Sequence, residues 1–320
     1  MHAASVIMLS WAMIGAACFF SDVLAGLAAA LLALLVAVVG LPHGAADHRF
    51  AQPRLEPLLG MAWLPVFLFG YLAVAAVVAC GWLVAPAVTI VVFFLASAWH
   101  FGAEEPRFAV GPKWLQPLFR FARGGLVMWV PLVCHGADVG EILELITPQG
   151  SGLAISHAIT LLTGCSWIML AIAATAWMSQ GLVAIRRTGR TRRVLLADNA
   201  LVASLSVLFA VASPVVGFLV YFCAWHSARG LRRLRIELGE SWGELARSLA
   251  PLTAGAIALI GLVAWLALAG AGWNDALVRA TFVGLSAVAI PHLLLHGAAP
   301  LFEGPGGQRS TTPRQAGSPA

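Results

Sequence analysis

The chain has 320 residues, of which 60% are hydrophobic and only 10% are charged. An average soluble domain has roughly 45–50% apolar and about 25% charged residues, so this composition excludes an ordinary soluble domain, a disordered chain and a disulfide-rich secreted scaffold. The formal net charge is +5. In so apolar a chain we interpret this surplus as loop charge that orients a membrane protein, and we predict no nucleic-acid partner.

Apolar segments follow one another along nearly the whole sequence, and most are long enough for a helix across a lipid bilayer. Their continuity argues against a transmembrane β-barrel, in which hydrophobicity alternates over about ten residues. We predict an all-α, polytopic membrane bundle of about 8–10 transmembrane helices, with residues 1–300 as one domain and residues 301–320 as a disordered tail. The apolar segments are, in chain order, residues 5–20, 23–41, 61–82, 85–101, 118–134, 153–178, 195–211, 214–230, 250–270 and 278–297.

The charged residues between these segments alternate in sign. All basic residues except Arg279 fall in residues 49–58, 103–123, 181–193 and 229–247 or in the tail, whereas the intervening connections are acidic. With ten spans, every basic segment lies on one side of the membrane, and the positive-inside rule makes that side cytoplasmic. We therefore predict a protein of the cell (inner) membrane with both termini in the cytoplasm. The absence of Lys and Arg before the first apolar segment predicts that no signal peptide is cleaved.

Six of the nine histidines are predicted to share one depth, in the cytoplasmic third of the bundle. His135 and His157 fall on the opposite face, and His2 lies at the terminus. The six are His43, His48, His100, His226, His292 and His296.

Ionisable side chains at membrane depth are costly and usually face a bundle interior or a cavity. A hydrogen bond to a neighbouring helix explains a single such histidine. Histidines at one depth on four separate helices instead indicate a metal site, because neutral imidazole binds iron, copper and zinc and because bundle cores build metal sites from facing helices.

In each of two pairs the residues are four positions apart, so in a helix both members of the pair lie on the same face. His292 and His296 are four residues apart, so both imidazoles are able to reach one ion. Asp47 follows His43 by four residues, and in a continuous helix its carboxylate would accept the outer N–H of the His43 imidazole. The alternative is that Asp47 caps a helix or pairs with Arg49.

Four histidine-bearing stretches together resemble the Brp/Blh family of membrane-integral β-carotene 15,15′-dioxygenases. They extend from about residue 40 to residue 296, most of the chain. The resemblance implies an enzyme that binds one Fe²⁺ and uses O₂ to split the central double bond of β-carotene into two all-trans-retinal molecules. The stretches are GLPHGAADH (Gly40–His48), SAWHFG (Ser97–Gly102), YFCAWHSARGLRR (Tyr221–Arg233) and, more weakly, AIPHLLLH (Ala289–His296).

The resemblance also implies a ligand set. Carried over by position, His43, His100 and His226 match the ligand motifs of the family. The third motif usually reads HSxRH in the family, with a second ligand four residues after the first, but this chain has Gly230 at that position.

The fourth ligand is therefore open between three solutions. We favour His292, because Pro291 breaks the helix beside it and the Pro–His pair repeats that of the first motif. His296 is the second choice, and a site with three protein imidazoles is the third. Asp47 and His48 are candidates for a position behind the ligands or for alternative ligands.

A substrate without a polar group has to be bound by apolar burial, so we expect a long apolar tunnel that places the central double bond at the metal. Entry from the lipid bilayer fits a carotenoid, which dissolves there. The candidate lining residues are Phe93, Phe94, Trp99, Phe101, Trp129, Phe218, Phe222 and Trp225.

Several other classes compete with this hypothesis. A membrane haem protein or a carotenoid- or retinoid-binding protein without dioxygenase activity is the main alternative. A di-iron desaturase needs several HxxxH motifs, and the chain has one, at 292–296. A rhodopsin needs a lysine in a span, but the only lysine, Lys113, lies in a charged segment. A transporter is disfavoured because no internal repeat is visible.

Overall fold

A computed structural model describes residues 2–105, 111–148, 150–267 and 272–297 of the chain. The predicted tail, residues 301–320, lies outside them. These described residues are helical, with no β-strand among them, as the apolar segments predict. Their α-helices are α1 (His2–Phe19), α2 (Ser21–Leu35), α3 (Leu41–Ala45), α4 (Asp47–Leu59), α5 (Trp63–Val84), α6 (Pro86–Glu104), α7 (Gln116–Gly124), α8 (Leu126–Cys134), α9 (Gly136–Ile146), α10 (Gly152–Ile185), α11 (Gly189–Val211), α12 (Pro214–Leu219), α13 (Ala228–Leu238), α14 (Trp242–Ala267) and α15 (Trp273–Gly297).

Seven helical stretches in the described part are long and apolar enough to cross a membrane, or eight if the bent pair α7 and α8 forms one span. The protein is therefore a multi-pass membrane protein. A count of eight reaches only the lower end of the predicted range of 8–10 transmembrane helices, for two reasons. The segments 23–41 and 61–82 lie in one helical stretch, Ser21–Val84, which is interrupted at Gly60 with a φ of 53°. The segment 214–230 continues into the arginine-rich α13.

Small residues allow two of the helices to approach closely. A Cβ atom at Gly102 of α6 would collide with the backbone oxygen of Arg120, and one at Gly124 of α7 would lie 2.5 Å from the backbone oxygen of Ala98. Close contact between backbones at small residues is a common way for membrane helices to associate. This contact fixes the carboxyl end of α6 against the α7–α8 pair.

One of the predicted loop charges is buried instead. The Arg123 guanidinium donates to Asp198 at 2.6 and 2.7 Å and to Glu105 at 2.9 Å, and its side chain is 5% exposed. A buried guanidinium requires such paired carboxylates, because an uncompensated charge in a low-dielectric interior is strongly destabilising. Arg123 thus joins α6, α7 and α11, a role that its position in a basic segment does not reveal.

The acidic connection after α8 contains a helix, α9, that the sequence analysis did not identify. Its acidic side chains face outwards, and its apolar side chains Val139, Leu143 and Ile146 are buried. Arg279 of α15 donates from Nε to the backbone oxygen of Leu145 at 2.8 Å. This contact explains the one basic residue on the acidic side of the protein, because a cation stabilises the carboxyl end of a helix.

Candidate metal centre

Four histidines are carried into the bundle at the carboxyl ends of helical segments. His43 lies in the short helix α3, His100 near the end of α6 and His292 near the end of α15. His226 lies in a π-helical segment, Val220–Ser227, that joins α12 to α13. A second π-helical segment, residues 36–40, leads into α3 directly before Pro42. Such π-helical turns are rare and occur frequently at functional sites.

The four imidazole rings form a closed ring of neighbours. The ring centroids of His43 and His226 are 4.9 Å apart, and those of His226 and His100 are 5.2 Å apart. The centroids of His100 and His292 are 4.9 Å apart, and those of His292 and His43 are 5.1 Å apart. A ligating nitrogen lies about 2 Å from a metal ion, so neighbouring ring centroids around one ion are separated by about 5 Å. The observed spacing fits one ion among four imidazoles.

Three of these rings each have one buried nitrogen that no other described residue bonds. Within the described residues, Nε2 of His43, His100 and His292 is buried and has no hydrogen-bond partner. Ring nitrogens of His43, His226 and His292 also lie within 4.8 Å of one another. Because a buried polar atom without a partner costs free energy, three such atoms in one cluster fit a bound metal ion.

A buried carboxylate lies behind this cluster. Asp47 is 2% exposed, and its Oδ1 accepts hydrogen bonds from His292 Nδ1 at 2.7 Å and from His296 Nε2 at 3.2 Å. The Tyr71 hydroxyl lies 3.2 Å from Asp47 Oδ2 and 2.7 Å from the backbone oxygen of Val288, and it donates its single proton to one of them at a time. With its proton on Nδ1, His292 keeps Nε2 available for an ion.

The position of Asp47 corrects the expectation that it serves His43. Ala46, the one residue between α3 and α4, keeps nearly helical backbone angles, with φ −64° and ψ −14°. The Asp47 carboxylate nevertheless bonds to the two histidines of α15. His48, which follows it, bonds from Nδ1 to the backbone oxygen of Ala45 at 2.6 Å, behind the cluster.

His292 and His296 occupy different surroundings. His292 is 6% exposed and contacts the rings of both His43 and His100. The side chain of His296 is 33% exposed, and its ring stacks on Phe50 at a centroid distance of 4.7 Å. Because the Nε2 atom of His296 is hydrogen-bonded to Asp47, the geometry favours His292 as the member of the cluster.

Gly230 lies against the cluster. A Cβ atom at this position would collide with Cε1 of His43 and lie 2.6 Å from its Nδ1. The His43 ring therefore fills the space that any side chain at position 230 would need. Gly230 leaves room for the His43 ring, and His292 on α15 is the fourth imidazole of the same cluster.

Sequence reasoning missed Tyr71 and Glu104. Glu104 Oε2 lies 3.4 Å from His226 Nδ1, so this imidazole also has a carboxylate behind it. Glu104 follows His100 by four residues, the same spacing that drew attention to Asp47, and this was the available signal. Tyr71 gave no comparable signal, because only tertiary packing brings α5 to Asp47.

A cavity of about 790 Å³ opens beside the four histidines, and apolar side chains form nearly all of its lining. Three of the eight predicted lining residues do not contribute to it. Trp99 is 57% exposed, and Trp129 is fully buried in the packing of α8. Trp225 donates to Glu105 at 2.9 Å and stacks on His2. The five predicted residues that do line the cavity are Phe93, Phe94, Phe101, Phe218 and Phe222.

We expect Asp47→Asn to lower the affinity for iron by about 10–100-fold, because the neutral amide no longer stabilises the proton on His292 Nδ1. The measurement is a chelator competition on purified protein, with thermal unfolding of the metal-free form recorded alongside. Asp22→Asn, at an exposed position, is the matched control. Equal iron affinity in the two variants would contradict a positioning role for Asp47.

Comparisons with known proteins identify the family of the chain. The family model described as beta-carotene 15,15'-dioxygenase matches residues 34–298. A beta-carotene 15,15'-dioxygenase from an uncultured marine bacterium, 66A03, is 27% identical over 271 residues, which cover 82% of this chain and 90% of that protein. A probable beta-carotene 15,15'-dioxygenase, Blh, of Halobacterium salinarum is 29% identical over 265 residues, 71% of each chain. No solved structure matches.

Proposed function

The chain belongs to the β-carotene 15,15′-dioxygenase family, and we propose that it cleaves the central double bond of β-carotene with O₂ to give two molecules of all-trans-retinal. The observation that carries the proposal is the cluster of four imidazoles at the wall of an apolar cavity, three of them buried and that of His43 half-buried. The two relatives bear the name of this activity.

We propose His43, His100, His226 and His292 as the residues that hold one Fe²⁺. Their imidazoles are neutral donors of the kind that suits iron, copper and zinc, and three of them have buried nitrogens without another partner in the described part of the chain. When bound, Fe²⁺ supplies the redox chemistry by which O₂ becomes reactive towards an alkene. We propose iron as the metal because the family is described as a dioxygenase and because imidazoles are suitable ligands for iron.

The surrounding residues orient these imidazoles and exclude water. Asp47 and Glu104 each face the outer nitrogen of one imidazole, which fixes the orientation of His292 and His226. The Phe101 ring packs against His226 at a centroid distance of 4.8 Å, on the cavity side. Exclusion of water from the site limits side reactions of the polyene and of reactive oxygen.

The cavity is suited to a long hydrocarbon. With almost no polar groups in its lining, binding rests on apolar burial at about 25 cal/mol per Å². Leu72 and Ala76 of α5, and Gly255 and Leu259 of α14, line the cavity and are exposed on the outer surface of the bundle. Since both helices belong to apolar stretches, these residues support entry of the substrate from the bilayer.

We also propose that the protein lies in the cell membrane with its histidine cluster near the cytoplasmic face. The basic segments that follow α6 and the Val220–Ser227 segment adjoin the cluster, and the acidic helix α9 lies in the connection on the predicted opposite side. The positive-inside rule then orients the bundle.

A haem between two of the histidines does not suit the geometry. The four ring centroids are neighbours at 4.9–5.2 Å, which leaves no space for a macrocycle among them. A carotenoid- or retinoid-binding protein without cleavage activity remains the second candidate, because the same cavity would hold such a ligand.

Expression of the chain in a β-carotene-accumulating bacterium separates these functions. We expect the cells to lose their yellow colour and to contain retinal, and the purified protein to contain iron. Cells with the His100→Ala variant at the same membrane level are the matched control and stay yellow. Cells that remain yellow with the wild-type chain, and a purified protein that carries intact carotenoid, would indicate the binding protein instead.

A further inference from the structure

We propose that helix α9 is the end wall of the substrate cavity, and that its distance from the four histidines determines which double bond of the carotenoid is cleaved. This inference rests on the proposed cleavage of β-carotene. It assigns to α9 the role of a specificity-determining element.

One face of α9 contributes to the cavity. Val139, Ile142, Leu143 and Ile146 line it, and their spacing of three, one and three residues places them on a single side of the helix. The acidic side chains of α9 are exposed. The helix thus closes the apolar space with its inner face and presents charge on its outer face.

The lining extends from the histidines in one direction along two helices. On α6 it reaches from His100 back to Phe93, 7 positions or about 10 Å at the rise of an α-helix. On α15 it reaches from His292 back to Phe282, 10 positions or about 15 Å. Both directions lead towards the amino-terminal ends of these helices, away from the cluster.

A side-chain contact fixes α9 at the far end of this space. Arg279 donates to the Leu145 carbonyl, and Arg279 precedes His292 by 13 positions, about 20 Å along α15. The carboxyl end of α9 therefore lies beyond the last lining residue of α15. Buried Trp82, which donates to Ser286 Oγ at 2.7 Å, forms a side wall of the same region.

The depth of this space matches half of a carotenoid. About nine bonds separate the central double bond from the terminal ring, and an extended chain advances about 1.2 Å per bond, which gives roughly 11 Å, to which the ring adds about 3 Å. With one ring against α9, the central double bond lies at the level of the histidines.

Displacement of the ring by one conjugated unit, two bonds or about 2.4 Å, brings the neighbouring double bond to the histidines. A misplacement of the reacting groups by about 1 Å already lowers the reaction rate about 100-fold. A displacement of about 2.4 Å is therefore enough to change which double bond is cleaved fastest. Cleavage consumes one O₂, breaks one C=C bond and places one oxygen atom in each of two carbonyl products. At the neighbouring bond the products are a C18 ketone and a C22 aldehyde instead of two C20 aldehydes.

The test compares products of purified full-length variants by liquid chromatography and mass spectrometry. Ile142→Trp brings the wall closer to the histidines, and the double variant Ile142→Ala/Ile146→Ala moves it away without adding atoms. In both we expect the C18 and C22 products in equal amounts, rising at least about tenfold relative to retinal over the wild-type chain. Glu141→Trp, on the exposed face of α9, is the matched control and gives retinal alone.

Retinal as the sole product of the double variant would overturn the role of α9. The wild-type chain in the same assay separates this failure from that of the proposed function. If the wild-type chain yields no cleavage product at all, the carotenoid cleavage itself fails. If wild-type and variants all yield only retinal, cleavage stands and the end wall is refuted.

Discussion

We expect the replacement of any one of His43, His100, His226 and His292 by alanine to abolish retinal formation and to remove bound iron, while the protein still inserts into the membrane. Each substitution deletes one imidazole from a ring of neighbours about 5 Å apart. The loss exceeds the roughly 10–100-fold effect of losing a residue behind a ligand, because the donor atom itself is gone. The measurement combines iron analysis, retinal yield and membrane level for each variant.

Two further histidines make this experiment specific. His157 is exposed on α10, away from the cluster, so His157→Ala keeps both iron and activity. His296→Ala has an intermediate effect, because this residue bonds to Asp47 and not to the centre of the cluster. Full activity in two of the four ligand variants would refute the assignment, as would a greater loss of iron in His296→Ala than in His292→Ala.

Gly230→Ala has the second largest effect, although the change adds only one methyl group. The new Cβ collides with the His43 ring, which then has to leave its place in the cluster. We expect iron affinity to fall by at least about 10–100-fold, the range known for displaced supporting groups of metal sites. A chelator competition monitored by iron analysis gives the affinity.

Gly164→Ala is the matched control, since a Cβ at this helical position meets no other atom within 4 Å. Its iron affinity is expected to equal that of the wild-type chain. Gly230→His is a second informative variant, because it places an imidazole where the resembled motif HSxRH has its second histidine. That imidazole is itself able to bind iron, so the test of the space rests on Gly230→Ala. If Gly230→Ala binds iron as tightly as the wild-type chain, the space at position 230 is not required by His43.

The helical membrane fold was predictable from the sequence, because long apolar segments have few solutions in a bilayer. The structure departs from the prediction at an amphipathic segment and at a buried charge, because a count of apolar and charged residues identifies neither. Helix α9 is short and half polar, so it resembled a loop. Arg123 lay among basic residues, and only the positions of Glu105, directly after α6, and of Asp198, on α11, show why it is buried.

The shared depth of the histidines was predictable from the sequence, and the structure brings His43, His100, His226 and His292 together. Their role as ligands stays a prediction. The partner of Asp47 was not predictable, because only tertiary packing brings the histidines of α15 to its carboxylate. The rotation of each helix about its axis and the positions of helix breaks decide such contacts, and a hydropathy pattern contains neither.

The meaning of Gly230 also required the structure. In the sequence it reads as a missing ligand, whereas in the fold it is the space occupied by the His43 ring. The Pro–His pair at Pro291 favoured His292, and the contacts of that ring with His43 and His100 place it within the cluster.

The central claim is that four imidazoles from distant parts of the chain bind a single iron ion. X-ray absorption spectroscopy at the iron edge, with iron counted per chain in the same purified sample, tests it directly. We predict one iron per chain surrounded by nitrogen neighbours at about 2 Å with the multiple scattering of imidazole. A sample without iron, or one with two irons per chain and an iron–iron signal bridged by Asp47 or Glu104, would contradict the account.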